Sequence, residues 1–168
     1  MRSRKSKIVI SIKLYIITAL AGNDDVKRDL VKTGLVPIIV SLLRRHSGNP
    51  TTAASMLKCI SALSLREAAH GRAFLEHGAA DVVVECLAAH ADRADVQKNG
   101  CWAVRNMVAR YREHNAKLLE LGIEAVLQRA YDKFADQFGF DIKSALRDLD
   151  CDVKFDEQWK GRGVQLEQ

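Results

Sequence analysis

The chain has 168 residues, enough for one domain with a continuous hydrophobic core. It holds only two prolines, and no long segment of alternating polar and apolar residues precedes its C-terminal tail, so the composition favours an all-α protein over a β-rich one. The net charge of +5 comes from the first 13 residues, which hold five basic residues and no acid: Arg2, Arg4, Lys5, Lys7 and Lys13. The remaining residues are neutral overall, which argues against a nucleic-acid-binding surface on the folded part.

The N-terminal segment combines a basic arm, residues 1–7, with an apolar stretch that predicts a helix over roughly Ile8–Ala21. Lys13 interrupts the apolar run, which is too short for a membrane span, so we expect no membrane association. The arm could serve as a nuclear-import peptide or bind nucleic acid weakly, but a solvated basic end is the simpler interpretation.

The main organising feature is an internal repeat marked by Gly34, Gly78 and Gly122, which are spaced by 44 residues. A short helical pattern leads into each glycine and a longer one follows it. Glycine suits such a corner because a left-handed backbone carries no Cβ penalty there. The flanking apolar positions recur in phase: Leu30, Phe74 and Leu118 before the glycines, and Ile38, Val82 and Val126 after them.

A third helix is predicted before each such pair, over roughly Ile8–Ala21, Thr51–Leu65 and Ala94–Arg110. A fourth copy is expected at Phe138–Asp150, after a turn around residues 135–139. Repeats of three helices and about 44 residues predict a stacked α-solenoid over residues 8–150, because no unit can bury its apolar face alone.

The C-terminal tail, residues 151–168, is expected to cap this stack. Cys151, Val153 and Phe155 alternate with polar residues, which predicts an extended strip across the last helix together with Trp159.

These features resemble the armadillo repeat family: the glycine between the first two helices, the aliphatic second helix, and one WxxxN motif in the third helix, Trp102 to Asn106. The resemblance implies a right-handed superhelix of about three full repeats plus a preceding third helix. Since the chain starts with half a repeat, we expect it to be a fragment of a longer protein. We also expect the first helix to be uncovered at Ile8, Ile10, Tyr15 and Ile16, so that self-association is possible there.

In armadillo proteins the third helices line the concave side, where the asparagine of the motif grips the backbone of an extended peptide and the tryptophan packs on its side chains. The resemblance therefore places a partner-binding strip on six residues: Trp102, Arg105, Asn106, Asn99, Lys58 and Arg147. Lys98 and Arg110 would lie nearby, and the basic residues would suit an acidic peptide.

The other repeats depart from the motif. The positions that match Trp102 and Asn106 are Lys58 and Ala62 in the preceding repeat, and Leu14 and Thr18 in the one before. A ladder of asparagines is absent, which disfavours recognition of nuclear-localisation signals. The alternative stays open that Trp102 only packs and Asn106 only bonds a neighbouring helix, and that the basic residues form a solvated charged face.

The sequence offers no catalytic or cofactor-binding motif, so we expect neither enzymatic activity nor a cofactor. Cys86 and His90 share a helical face, but two further zinc ligands at useful spacing are missing. The four dispersed cysteines predict reduced, mostly buried thiols in a cytoplasmic protein, with the nucleus as a second location.

The predicted function is therefore a non-enzymatic scaffold that binds a protein or peptide segment along its third helices. Two alternatives are a structural C-terminal cap for a longer solenoid whose binding site lies upstream, and weak nucleic-acid binding through the basic arm.

Overall fold

The computed structural model describes residues 2–110 and 112–154, with side chains from Val9 onward. It has no strand in this part of the chain, which confirms the all-α prediction. The helices are α1 Arg2–Leu20, α2 Asp24–Lys32, α3 Leu35–His46, α4 Pro50–Ser64, α5 Ala68–Glu76, α6 Ala79–Ala89, α7 Ala94–Val108, α8 Asn115–Glu120 and α9 Ile123–Asp148, with a 3₁₀ turn at Arg112–His114 before α8.

The helices stack as consecutive repeats in two layers. The third helices of successive repeats, α1, α4, α7 and the end of α9, pack side by side, and so do the second helices α3, α6 and the start of α9. One continuous core runs between the layers and contains Leu57, Phe74 and Val104, all fully buried. This arrangement is an α-solenoid; the right-handed superhelix stays a prediction.

Local sequence signals begin the helices where expected. Asn23 caps α2 by accepting hydrogen bonds from the N–H groups of Asp25 and Val26. Asn49 caps α4 through the N–H of Thr52, and Pro50 occupies the first turn, where a missing N–H costs nothing.

The three corner glycines confirm the predicted left-handed turns. Gly34, Gly78 and Gly122 have φ values of 82°, 79° and 80°. Each ends the first-helix segment of its repeat and directly precedes the second helix, so the 44-residue spacing of the sequence is the spacing of the structural repeat.

Lys27, Gly71 and Asn115 are also spaced by 44 residues, and each lies where the first helix of a repeat contacts the end of the third helix of that repeat. Lys27 is fully buried and its Nζ donates to the Leu65 carbonyl at 2.7 Å. Asn115 donates from Nδ2 to the Asp148 carbonyl at 3.1 Å. The glycine between them, Gly71, lets α5 approach the end of α7 so closely that a Cβ would lie 2.6 Å from a backbone oxygen.

One helix boundary differs from the prediction. The first helix begins at Arg2 rather than Ile8, because the basic residues before Ile8 are good helix formers and include no proline or glycine. The break predicted around residues 135–139 is confirmed: α9 consists of two helical segments that meet at a kink, where Phe134 and Phe138 have non-helical backbone angles and their rings stack at 5.4 Å.

The predicted exposure of the first helix is found in part. Tyr15 and Ile16 are exposed, but Ile10 packs against the core, and the side chain of Ile8 lies outside the described residues. Phe155 and Trp159 of the predicted C-terminal strip also lie outside them.

Candidate partner-binding site

The strip predicted on α7 follows from the two faces of that helix. Small and apolar residues, Gly100 and Ala103 among them, are buried on one face. Gly100 is required because a Cβ would lie 2.2 Å from the Leu87 side chain. The other face is partly exposed and carries Lys98, Asn99, Trp102, Arg105 and Asn106. We call this partly exposed face of α7, with the exposed side of α4 beside it, the groove face.

Both asparagines of the groove face bond the backbone of α4. Asn99 donates from Nδ2 to the Ala54 carbonyl at 3.1 Å. Asn106 donates from Nδ2 to the Ser61 carbonyl at 3.0 Å and to the Ser61 hydroxyl at 2.9 Å. These are the bonds to a neighbouring helix that the structural alternative requires. They use the amide nitrogen of Asn106 and leave its Oδ1 without a donor among the described residues.

Trp102 is half-buried, and Lys98 lies one turn before it on α7. The Lys98 Nζ stands 4.9 Å from the centre of the indole ring, a cation–π contact that holds both side chains on the groove face. The contact favours one orientation of the ring, and part of the ring stays accessible to another molecule.

Arg105, Asn106 and Arg147 come together at one end of the groove face, in a surface pocket of about 400 Å³. Asp148 lies between the arginines: its carboxylate accepts from Arg105 at 3.3 Å and from Arg147 at 2.8 Å. Arg110 lines the same pocket, as the sequence suggested.

Lys58 lies elsewhere, in a second pocket of about 320 Å³ between α1 and α4. Tyr15, which is 74% exposed, lines this pocket with it. Leu14, which the 44-residue spacing matches to Lys58 and Trp102, is instead buried at 3% exposure. The match was wrong by one residue: Tyr15, which lies 43 residues before Lys58, is the exposed residue at this position.

Sequence reasoning predicted Tyr15 as an uncovered residue of the first helix but not as a neighbour of Lys58, and it missed Arg66, which lines the arginine pocket from the turn after α4. A signal for Tyr15 existed, because YIITALA aligns with KCISALS so that Tyr15 matches Lys58. For Arg66 no local signal exists, since its proximity to Arg147 arises only when repeats stack.

Three of the four cysteines are buried in the core, and Cys151 is partly buried. All four cysteines are free, and burial raises the pKa of Cys59 and Cys101 to about 12 and that of Cys86 to about 11. The Nε2 of His90 lies 2.6 Å from the Ser47 carbonyl, which links the ends of α6 and α3. Within residues 2–110 and 112–154, no three His, Cys, Asp or Glu side chains lie close enough together to hold a metal ion.

None of the described helices combines the length and apolar character needed to span a bilayer.

Stacked three-helix repeats with glycine corners and a WxxxN third helix define an armadillo-type repeat protein. The chain belongs to the ARMC6 family, whose model matches residues 2–167. It is similar to the armadillo repeat-containing protein 6 homolog of Drosophila melanogaster, with 43% identity over 65 residues. Those residues are 39% of this chain and 14% of the relative, so the match spans a small part of the relative's length. No solved structure matches the chain.

Proposed function

We propose that this chain is a non-enzymatic protein-interaction module whose groove face binds an extended segment of a partner protein. One observation carries the proposal: Trp102 and Asn106 lie one turn apart, partly exposed, on a helix that is packed on both sides by other third helices. Membership of an armadillo-repeat family supports an interaction role in general. The partner site on this chain is our inference from the side chains.

The chemistry of Asn106 suits an extended backbone. Its Nδ2 is anchored on Ser61, so the orientation of the amide is fixed before any partner arrives. Its Oδ1 is left to accept a hydrogen bond from a peptide N–H. Since an extended peptide exposes unpaired N–H groups at regular intervals, it meets this acceptor without unfolding any structure of its own.

Trp102 supplies the apolar contact. Large aromatic rings that are held in place lose little entropy on binding, and they often contribute a large share of the binding free energy. Asn99 and Lys58 border the strip. Asn99 acts mainly by fixing α7 on α4, whereas the exposed Lys58 is free to contact a partner side chain.

The test is a selection of 12-residue peptides from a random display library on the immobilised chain, followed by affinity measurement of the enriched peptides. We expect Trp102→Ala to weaken binding about tenfold or more, the loss typical of a truncated aromatic anchor. Arg129→Ala, an exposed change on the second-helix part of α9, is the matched control and should bind like the wild type. Circular dichroism verifies that both variants fold. Equal affinity for all three proteins, or no enriched peptide, contradicts the proposal.

A second candidate function is structural: the chain serves as the cap of a longer solenoid, and a preceding repeat packs against α1. The favouring observation is Ile38, which is 54% exposed although the equivalent Val82 and Val126 are buried at 1% and 7%. The two valines are covered by the repeat before them. Ile12 and Ile16 of α1, 54% and 51% exposed, extend this uncovered apolar edge.

This structural function predicts that the chain alone self-associates through the edge. Analytical ultracentrifugation should show a concentration-dependent dimer or larger species, which the double variant Ile12→Asp, Ile16→Asp converts to a monomer. A wild-type chain that is monomeric at high concentration contradicts the structural candidate and leaves the groove proposal unaffected.

A further inference from the structure

The pocket at the end of the groove face has an unusual charge. Among the described residues, four arginines line it, Arg66, Arg105, Arg110 and Arg147, together with one carboxylate, that of Asp148. Positive charges outnumber negative ones in this described lining, although the chain is close to neutral outside its first 13 residues. Like charges repel, so gathering them costs free energy unless an anion joins them.

The arginines are partly compensated within the chain. Asp148 is shared between Arg105 and Arg147, and Arg66 reaches Asp24 at 3.1 Å. Arg110 is exposed and has no ion pair among the described residues. The Arg110 guanidinium is therefore the one in the pocket that is available to an anion from outside the described chain.

One observation independent of the arginine count indicates a ligand at this place. Ser64 lines the pocket and is 1% exposed, yet its hydroxyl has no hydrogen-bond partner within the described chain. A buried hydroxyl without a partner is costly, and a ligand oxygen would satisfy it.

The pocket also adjoins the acceptor that the proposed function assigns to the peptide backbone, because Asn106 lines it together with the arginines. A peptide hydrogen-bonded at Asn106 would have a neighbouring side chain within reach of the guanidinium groups. Guanidinium groups bind carboxylate and phosphate oxygens through paired N–H donors.

We infer that this pocket binds an anionic side chain of the partner segment, a carboxylate or a phosphate ester, so that the groove face selects acidic over neutral peptides. The inference rests on the proposed function. It predicts that removing Asp148 improves binding, since the negative charge in the pocket competes with the ligand for Arg105 and Arg147.

The experiment titrates the full ¹⁵N-labelled chain with three N-acetylated 12-residue peptides and follows amide and arginine Nε–H signals by NMR. The peptides share one sequence and differ at two central positions, which are glutamate, phosphoserine or glutamine. We expect the glutamate and phosphoserine peptides to bind at least threefold more tightly than the glutamine peptide. The comparison between the first two identifies which anion the pocket prefers. Since the attraction is electrostatic, the difference should shrink as salt is added.

Three variants that each remove one charge test the residues. Asp148→Asn should strengthen binding of the glutamate peptide about three- to tenfold, the effect of one partly exposed charge nearby. Arg110→Gln should weaken it by a similar factor, and Arg129→Gln, outside the pocket, should change nothing. A gain from Asp148→Asn cannot come from a loss of structure, so misfolding does not imitate the expected result.

The outcomes separate this inference from the proposed function. If all three peptides bind equally and shift the α7 signals, the anion pocket is wrong while peptide binding on the groove face stands. If Asp148→Asn binds the glutamate peptide no more tightly than the wild type, the competition between Asp148 and the ligand is refuted. If no peptide shifts any α7 signal, the anion inference falls, and the display selection decides the proposed function by itself.

Discussion

Replacement of Gly71 by alanine tests the packing that positions α7. We expect this change to destabilise the chain, although a change from glycine to alanine within a helix is usually stabilising. Within a helix, alanine is normally more stable than glycine by about 1 kcal/mol. In α5, however, the new Cβ would lie 2.6 Å from the Met107 oxygen and 3.0 Å from the Met107 Cα. These atoms belong to the backbone of α7, so the contact is relieved only if the two helices move apart.

The expected magnitude follows from the cost of overpacking, about 1–3 kcal/mol, which opposes and exceeds the gain in helix propensity. We expect Gly71→Ala to lower the free energy of unfolding by about 2 kcal/mol, allowing for further strain because backbone atoms are involved. For a chain of this length that corresponds to a fall in Tm of about 4–8 °C.

The matched control is Gly48→Ala. Gly48 lies in the turn before α4, has no heavy atom within 4 Å of a built Cβ, and does not have positive φ. There alanine should leave stability unchanged or raise it by about 0.4–1 kcal/mol, because it restricts the unfolded chain. Guanidinium and thermal unfolding followed by far-UV circular dichroism measure both variants. If Gly71→Ala is as stable as the wild type, α5 and α7 do not approach as closely as described, and the reasoning fails.

Four further predictions concern the thiols, the buried lysine and a corner glycine. Cys59 and Cys101 have pKa values raised to about 12, so in the folded chain they should resist a thiol reagent at pH 8. The partly buried Cys151 should react first, and unfolding in guanidinium should expose the other thiols to the reagent. Folding raises the pKa values of Cys59 and Cys101 above the ordinary value of 9.0, so the contribution of these two thiols to stability is complete below pH 9 and is lost as the pH rises towards 12. A denaturation midpoint that stays constant between pH 9 and pH 12 contradicts this pH dependence. Lys27→Ala should cost about 2 kcal/mol in denaturant unfolding, since it removes a charged hydrogen bond to Leu65 and leaves a cavity. Gly122→Ala should lower the free energy of unfolding by about 1–2 kcal/mol. The cause is the left-handed backbone at this corner, since no heavy atom lies within 4 Å of the added Cβ. An unchanged denaturation midpoint would argue against the left-handed corner.

The repeat could be predicted from the sequence because its signals are local. Gly34, Gly78 and Gly122 each determine one backbone corner, and apolar residues at helical spacing determine which side of each helix is buried. Those signals act within about one helix length, so they identify the elements and their order without any knowledge of distant contacts.

The break within α9 was predictable in the same way, but its geometry was not. The segment around Ala135–Gly139 separates two helical segments, as the sequence indicates, and the backbone is non-helical at Phe134 and Phe138. The stacking of these two rings across the kink depends on packing in the core, which a linear pattern does not record.

The residues of the candidate site also divide into those that the local sequence pattern predicts and those that it does not. Trp102 and Asn106 were found because their spacing places them on one helix face. The exposure of Tyr15 and the burial of Leu14 follow from a spacing of 43 rather than 44 residues to Lys58, which the 44-residue spacing of the glycines did not reveal. Arg66 joins the arginine pocket only through the stacking of repeats, so it has no counterpart in the local sequence pattern.

The most direct measurement of the central claim, that the groove face binds the partner segment, is site-specific photocrosslinking. Benzoylphenylalanine is placed at Lys58, exposed on α4, or at Glu85, exposed on the second helix α6, and a display-selected peptide is added before irradiation. The account predicts a covalent peptide adduct from position 58 and none from position 85, with the adduct reduced by excess unlabelled peptide. An adduct from position 85 alone, or equal adducts from both positions, would contradict the account.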